Sequence, residues 1–201
     1  RLMPSLIDSA RGLPLVTELL SQCSFPPDHS RVDCAVSGGA DSVALLVLAC
    51  AANLQVTAWH VDHGLRVNSH AEAALVAQLA TQLGAQFESR TVTIEQSANI
   101  EARAREARYG VLPEGVMTGH TADDQAETIL INLLRGSGTR GLAGMQPTTQ
   151  RPLLHLRRRE TQALCNALGI AVFNDPSNSD ERFQRNRIRH EVLPLLESLA
   201  K

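Results

Sequence analysis

Apolar residues along the chain fall into short blocks of two kinds that take turns. Val32-Asp33-Cys34-Ala35-Val36, Val56-Thr57-Ala58-Trp59-His60-Val61, residues 86–94 and residues 115–118 are runs of strand length. Between them 41–52, 69–84, 99–111 and 123–135 carry helix-forming residues over helix length. Gly84 stops the second of these helices, and Gly-Ser-Gly at 136–138 stops the last. A short leading helix is predicted near 14–24. After residue 150 the pattern predicts a helix at 158–168, a brief strand near 170–173, a polar loop at 174–181 and a helix entering at about 184. Strands that alternate with helices imply an α/β fold: a Rossmann-like parallel sheet with helices on both faces and ligands at the carboxyl ends of the strands.

Composition narrows the class. With 201 residues and 43% hydrophobic content, the chain can bury a full core as one domain. The four cysteines form no Cys-x-x-Cys pair, no apolar run reaches membrane length, and no signal segment opens the chain, so the reading is a reduced, cytoplasmic protein. The net charge of −2 hides an arginine-rich tract. From Arg151 to His190 eight arginines face four acids, which suits a polyanionic partner or simply a solvated face.

The first chemical motif is Ser37-Gly38-Gly39-Ala40-Asp41-Ser42, where the first strand stops and a helix starts. Two glycines let the backbone N–H groups approach an anion, and the helix start points its unpaired N–H groups the same way. Ser37 and Ser42 add hydroxyl donors, and Asp41 is suited to the magnesium ion that a polyphosphate brings. It is not a Walker A loop, which needs a lysine, because the only lysine is Lys201. Ser-Gly-Gly-x-Asp-Ser resembles the pyrophosphate loop of enzymes that cleave ATP between its α and β phosphates.

His60-Val61-Asp62-His63-Gly64-Leu65-Arg66 follows the second strand. His60 and Asp62 share one strand face and His63 begins the turn, so a three-ligand metal site would need a special bend; a loop lining a nucleotide pocket is the favoured reading. The third motif is Gly119-His120-Thr121-Ala122-Asp123-Asp124-Gln125-Ala126-Glu127-Thr128. Asp123 and Glu127 share a helix face, with Asp124 about 100° away. One of the paired acids can complete a magnesium site or accept from a substrate base, the alternative being a plain helix-dipole partner.

Taken in order, these motifs, with Glu101-Ala102-Arg103, Arg108-Tyr109, Leu133-Leu134-Arg135-Gly136-Ser137-Gly138, Gly141-Leu142-Ala143-Gly144-Met145, Arg151-Pro152-Leu153-Leu154, Asp175-Pro176-Ser177-Asn178 and Arg185-Asn186-Arg187-Ile188-Arg189, resemble the tRNA(Ile)-lysidine synthetase family over about 32–190. The resemblance implies a PP-loop fold similar to the adenine nucleotide alpha hydrolases. Residues 1–150 would be the ATP-binding core, and 151–201 a basic extension of that domain and the start of a linker helix to a C-terminal domain. The implied reaction adenylates C2 of the wobble cytidine of a tRNA(Ile) with a CAU anticodon, and free L-lysine then displaces AMP. ATP and Mg2+ are the implied cofactors. Asp41, Arg108, Asp123 and Asp124 would be catalytic, with Asp41 and Asp124 on the metal. Ser37, Gly38, Gly39, Ala40, Asp41, Ser42, His60, Gly119 and His120 would hold the nucleotide. His63, Arg66, Arg151, Arg185, Arg187 and Arg189 would meet tRNA or lysine. A PP-loop tRNA thiolase, or a non-catalytic nucleotide- or RNA-binding module, is the alternative; thiolases of this kind usually carry paired cysteines. The closing run Val192 to Leu199 is expected to project and pack on a C-terminal domain or on a second copy in a homodimer, with ordinary core as the alternative.

Overall fold

The computed structural model describes residues 5–62, 69–92, 110–173 and 184–200. Strands β1 (Arg31–Ala35), β2 (Gln55–Asp62) and β3 (Gln86–Thr91) form a parallel sheet in the order β1-β2-β3. Val32 is opposite Val56, and Ala58 is opposite Phe87. On the free side of β1 the predicted fourth strand contributes a single parallel bridge between Cys34 and Met117. There Ala35 N–H donates to the Met117 carbonyl at 2.9 Å, and Met117 N–H donates to that of Asp33 at 2.8 Å. The chain therefore steps outward from β1 through β2 to β3 and returns on the other side of β1. At such a reversal the loops leaving neighbouring strands diverge and open a crevice.

Helices α3 (Ala40–Ala51) and α4 (Ser69–Leu83) make the crossovers β1-α3-β2 and β2-α4-β3. Right-handed connections in one direction put both on the same face. The pleat of β2 shows it: Val56, Ala58, His60 and Asp62 are buried, while Thr57, Trp59 and Val61 alternate as half-buried residues. Every residue of α3 from Ser42 to Cys50 is buried, because α1 (Leu6–Gly12), α2 (Pro14–Ser21) and α7 (Arg158–Ala167) also pack against it. A helix apolar on all sides needs covering on all sides, which is how the Val-Ala-Leu-Leu-Val-Leu-Ala run is spent. The helix predicted over 99–111 lies almost wholly outside the described residues.

Further elements are α5 (Ala122–Leu134), the short α6 (Thr139–Leu142), α8 (Gln184–Arg187) and α9 (Leu193–Leu199). A π-helical turn, Ile188–Val192, joins the last two. Two helices add to the predicted elements, and one predicted strand is absent. The leading helix predicted near 14–24 is α2, opened by Pro14, and a further helix, α1, capped by Ser5, precedes it. Residues 170–173 form no strand, because the edge of β1 is taken by Met117 and the Phe173 N–H instead donates to the Gly38 carbonyl at 2.9 Å. Helix α6 has no counterpart in the sequence pattern, which predicts nothing between the Gly-Ser-Gly stop at 136–138 and residue 158. The segment around it is pinned by Gln125, whose amide both accepts from Met145 N–H at 2.6 Å and donates to its carbonyl at 2.8 Å. Leu195, Leu196 and Leu199 on α9 are exposed, as expected of a closing run that projects instead of joining the core. Among the described residues no helix is long and apolar enough to cross a membrane.

Candidate functional site

The loop that leaves β1 is built by its own serines and glycines. Gly38 has φ of +92°, a region costly for any side chain, and Phe173 packs over it. Ser42 Oγ donates to the Gly39 carbonyl at 2.9 Å and accepts from Ser37 N–H at 3.1 Å, folding the loop back on the helix start. Gly39 caps α3 without any side chain, so the first N–H groups of a buried helix face the crevice. Opposite, Thr121 begins α5 with a reciprocal cap, its N–H donating to Asp124 Oδ2 at 2.9 Å. Between these two helix starts lies a cavity of about 750 Å³.

Helix α7 closes the crevice with charge. The Arg158 guanidinium donates to Asp41 Oδ2 at 3.4 Å, Asp124 Oδ1 at 3.2 Å and Glu127 Oε1 at 3.2 Å, joining carboxylates from two helices. One turn later Thr161 Oγ1 donates to the other oxygen of Asp41. Glu127 is wholly buried and is also held by Arg185 Nε at 2.8 Å and Arg189 Nε at 2.7 Å. Three carboxylates and three arginines thus interlock with balanced charge. Burial raises Asp41 above the ordinary carboxylate range, although Thr161 and Arg158 oppose it. Burial also pushes Glu127 upward, but hydrogen bonds from Arg189 and Arg185 and the nearby guanidinium charges outweigh it, leaving its pKa lowered.

Of the residues singled out in the sequence, Ser37, Gly39, Ala40, Asp41, Ser42, Gly119, His120, Asp124, Arg185 and Arg189 all line this cavity. Gly38 lies behind it. His60 does not line it: the strand pleat turns its ring into the core, where Nδ1 meets the Val36 carbonyl at 2.8 Å. Asp123 divides from Asp124 as the helical angle requires, its Oδ2 accepting the Arg158 backbone N–H at 2.7 Å. Asp123 therefore anchors α7, and Asp124 faces the cavity. Arg151 lines a neighbouring cavity of about 750 Å³ that shares Thr118, His120 and Arg185 with the first. Arg187 is exposed and pairs with Glu191 at 2.9 Å. Arg108, His63 and Arg66 lie outside the described residues, and among those described no group of three or more His, Cys, Asp or Glu could hold a metal. Sequence reading passed over Arg158, Thr161 and Trp59 and gave Glu127 no role. Glu127 had a signal in its i, i+4 spacing from Asp123, whereas Arg158 is one of three successive arginines with nothing local to distinguish it.

None of the cysteines lines the cavity. All four are free, and burial pushes the thiols of Cys23 and Cys50 up to about 12 and that of Cys165 up to about 11.

The pyrophosphate-type loop, the helix starts and the sheet order are those of a PP-loop domain, and the pattern of that family matches residues 15–196; the chain belongs to it. Within the family it is similar to tRNA(Ile)-lysidine synthases. It is 46% identical over 185 residues to that of Rhodococcus erythropolis, covering 88% of this chain and 57% of that protein. It is 48% identical over 174 residues to that of Mycolicibacterium paratuberculosis, covering 82% of this chain and 54% of that one. The chain thus spans about half the length of the curated relatives it matches. The fold is also that of a U34-tRNA thiolase structure from Methanococcus maripaludis, with a TM-score of 0.71 at 16% identity, covering 96% of this chain and 74% of that chain.

Proposed function

We propose that this chain supplies the ATP-using site of a tRNA(Ile)-lysidine synthase. The observation that carries the reading is the meeting of the Ser37–Ser42 loop and Asp124 across one cavity, in a chain nearly half identical to such synthases. The cavity would take ATP, with its phosphates against the N–H groups at the start of α3. Cytidine O2 of the tRNA(Ile) wobble position, in a CAU anticodon, attacks the α-phosphorus, and pyrophosphate leaves. The ε-amine of L-lysine then attacks C2, and AMP departs with the oxygen.

A poor leaving group becomes a good one without any protein nucleophile, which suits a site whose cysteines are inert. The work left to the chain is positioning and charge stabilisation. Asp41 and Asp124 offer hard oxygen donors from facing helices, the donor type that Mg2+ selects, and they are the residues that would hold it. Bound there, the ion would neutralise polyphosphate charge. Arg185 and Arg189, held at the cavity wall by Glu127, extend the positive surface toward the phosphates.

The deciding experiment mixes the chain, and a full-length relative as reference, with ATP, tRNA(Ile) and radiolabelled lysine. Pyrophosphate release that requires tRNA, together with label in the tRNA, is the expected result. Sulfur transfer in place of lysine incorporation would support the thiolase reading, and nucleotide binding without pyrophosphate release would support a binding module.

A further inference from the structure

The geometry points to Arg158 as a positioning residue that stands in for the divalent cation between Asp41 and Asp124 and is exchanged for it when the nucleotide arrives. This rests on the reading that those two carboxylates hold the ion. Asp41 leaves the first turn of α3 and Asp124 the first turn of α5, so the two acids converge from separate helices. Two carboxylates facing one crevice repel, and something cationic must sit between them for the crevice to keep its shape. In this structure that charge is the guanidinium, with Nε toward Asp41 and Nη2 toward Asp124.

Three features suit it to be displaced rather than permanent. Its bonds to the carboxylates, 3.2 to 3.4 Å, are longer than the 2.7 to 2.8 Å Nε bonds by which Arg185 and Arg189 hold Glu127, and than the second Arg189 bond to Glu127 at 3.1 Å. Its backbone is fixed independently, by Asp123 accepting its N–H at 2.7 Å, so the side chain can swing while its base stays in place. Asp41 keeps the Thr161 hydroxyl on its other oxygen, so it stays oriented when the arginine leaves. A divalent ion places twice the charge between the acids in a smaller volume. The released guanidinium, already at the cavity wall, then has its charge free for the phosphates that came with the ion. The swap couples cation and nucleotide: the cation alone meets the arginine as a competitor for the carboxylates, the nucleotide alone meets a guanidinium tied to them, and together they release it.

The test is Mn2+ binding to the whole chain, followed by electron paramagnetic resonance, without nucleotide and then with a non-hydrolysable ATP analogue. The parent is expected to bind Mn2+ weakly alone and on the order of tenfold more tightly with the analogue. R158Q is expected to show the tighter binding without any nucleotide, and R158Q/D41N is expected to lose it. R158K keeps a charge but cannot span three carboxylates, so its affinity should fall between parent and R158Q; it also serves if R158Q proves unfolded by circular dichroism. Equal Mn2+ affinity in parent and R158Q, or in parent and R158K where R158Q is unfolded, with binding still lost on D41N, would overturn the exchange and leave the cation site standing. Mn2+ binding that ignores D41N with and without the analogue would remove the cation site itself, and the exchange with it.

Discussion

Gly119 and Asp41 meet backbone to backbone: a Cβ on Gly119 would lie 2.6 Å from the Asp41 carbonyl oxygen and 2.8 Å from its carbonyl carbon. Neither atom can rotate away as a side chain would. Gly119→Ala must therefore push the turn before α5 off the start of α3, opening the crevice where the nucleotide is proposed to sit. The expected cost is about 1–3 kcal/mol of unfolding free energy together with loss of ATP affinity. Urea unfolding and calorimetric ATP titration read the two effects, and unchanged values in both would remove the close approach from the account.

Glu127→Gln should be the most destabilising single-atom change in the site. It leaves Arg158, Arg185 and Arg189 around an amide that can answer only part of their charge. Breaking a buried ion pair costs several kcal/mol, and the partial exposure of these arginines brings the expected loss to about 2–3 kcal/mol.

The acid side of the stability curve should depend on the same residue. Glu127 is lowered in the folded state, so its contribution is complete above the ordinary carboxylate range and disappears as pH falls through its lowered value. Stability measured against pH should fall on acidification in the parent and fall less steeply in Glu127→Gln. Superimposable slopes would show that Glu127 does not govern the limb.

Asp41 carries the opposite sign. Burial raises it, so its ionised form costs stability at neutral pH, and the favourable contribution is present only below the ordinary carboxylate range and lost as pH rises through the raised value. Asp41→Asn should melt at or above the parent temperature, while the tRNA-dependent pyrophosphate release proposed for this site is lost. A lower melting temperature would show Asp41 to be mainly structural.

Arg185 and Arg187 sit two residues apart with different surroundings. Arg185→Ala removes a guanidinium from Glu127 and from the cavity wall and should lower both stability and ATP affinity. Arg187, exposed beside Glu191, should change to alanine with ATP affinity and melting temperature at parent values. Equal loss of ATP affinity in the two variants would contradict the cavity wall described for Arg185.

What the sequence made legible was whatever is encoded locally. Gly38-Gly39 before an apolar helix dictates a phosphate-type loop, and the strand-length runs at 32–36 and 56–61 dictate parallel strands. The 100° between Asp123 and Asp124 dictates that only one of them can face the crevice. What stayed hidden depends on long-range meetings. Arg158 reaches Asp41 across more than a hundred residues of chain, and its two arginine neighbours look the same in sequence. His60 lies on the core side of β2, away from the cavity, because a histidine at a strand end does not tell which side of the pleat faces the crevice. Residues 170–173 carry strand-like side chains, but the sheet edge they would need is already taken.

The π turn at 188–192 gives the closing helix two phases. Arg185 and Arg189 lie on the side dictated by Glu127, and the turn carries one residue more than α-helical winding allows before α9 begins. Everything beyond it is thereby rotated by about 100° relative to an unbroken helix. The surface that carries Leu195, Leu196 and Leu199 is thus geared independently of the ionic grip around Glu127. A lineage that gained or lost a single residue in this turn could redirect its leucines to a new neighbour and leave the crevice chemistry as it was.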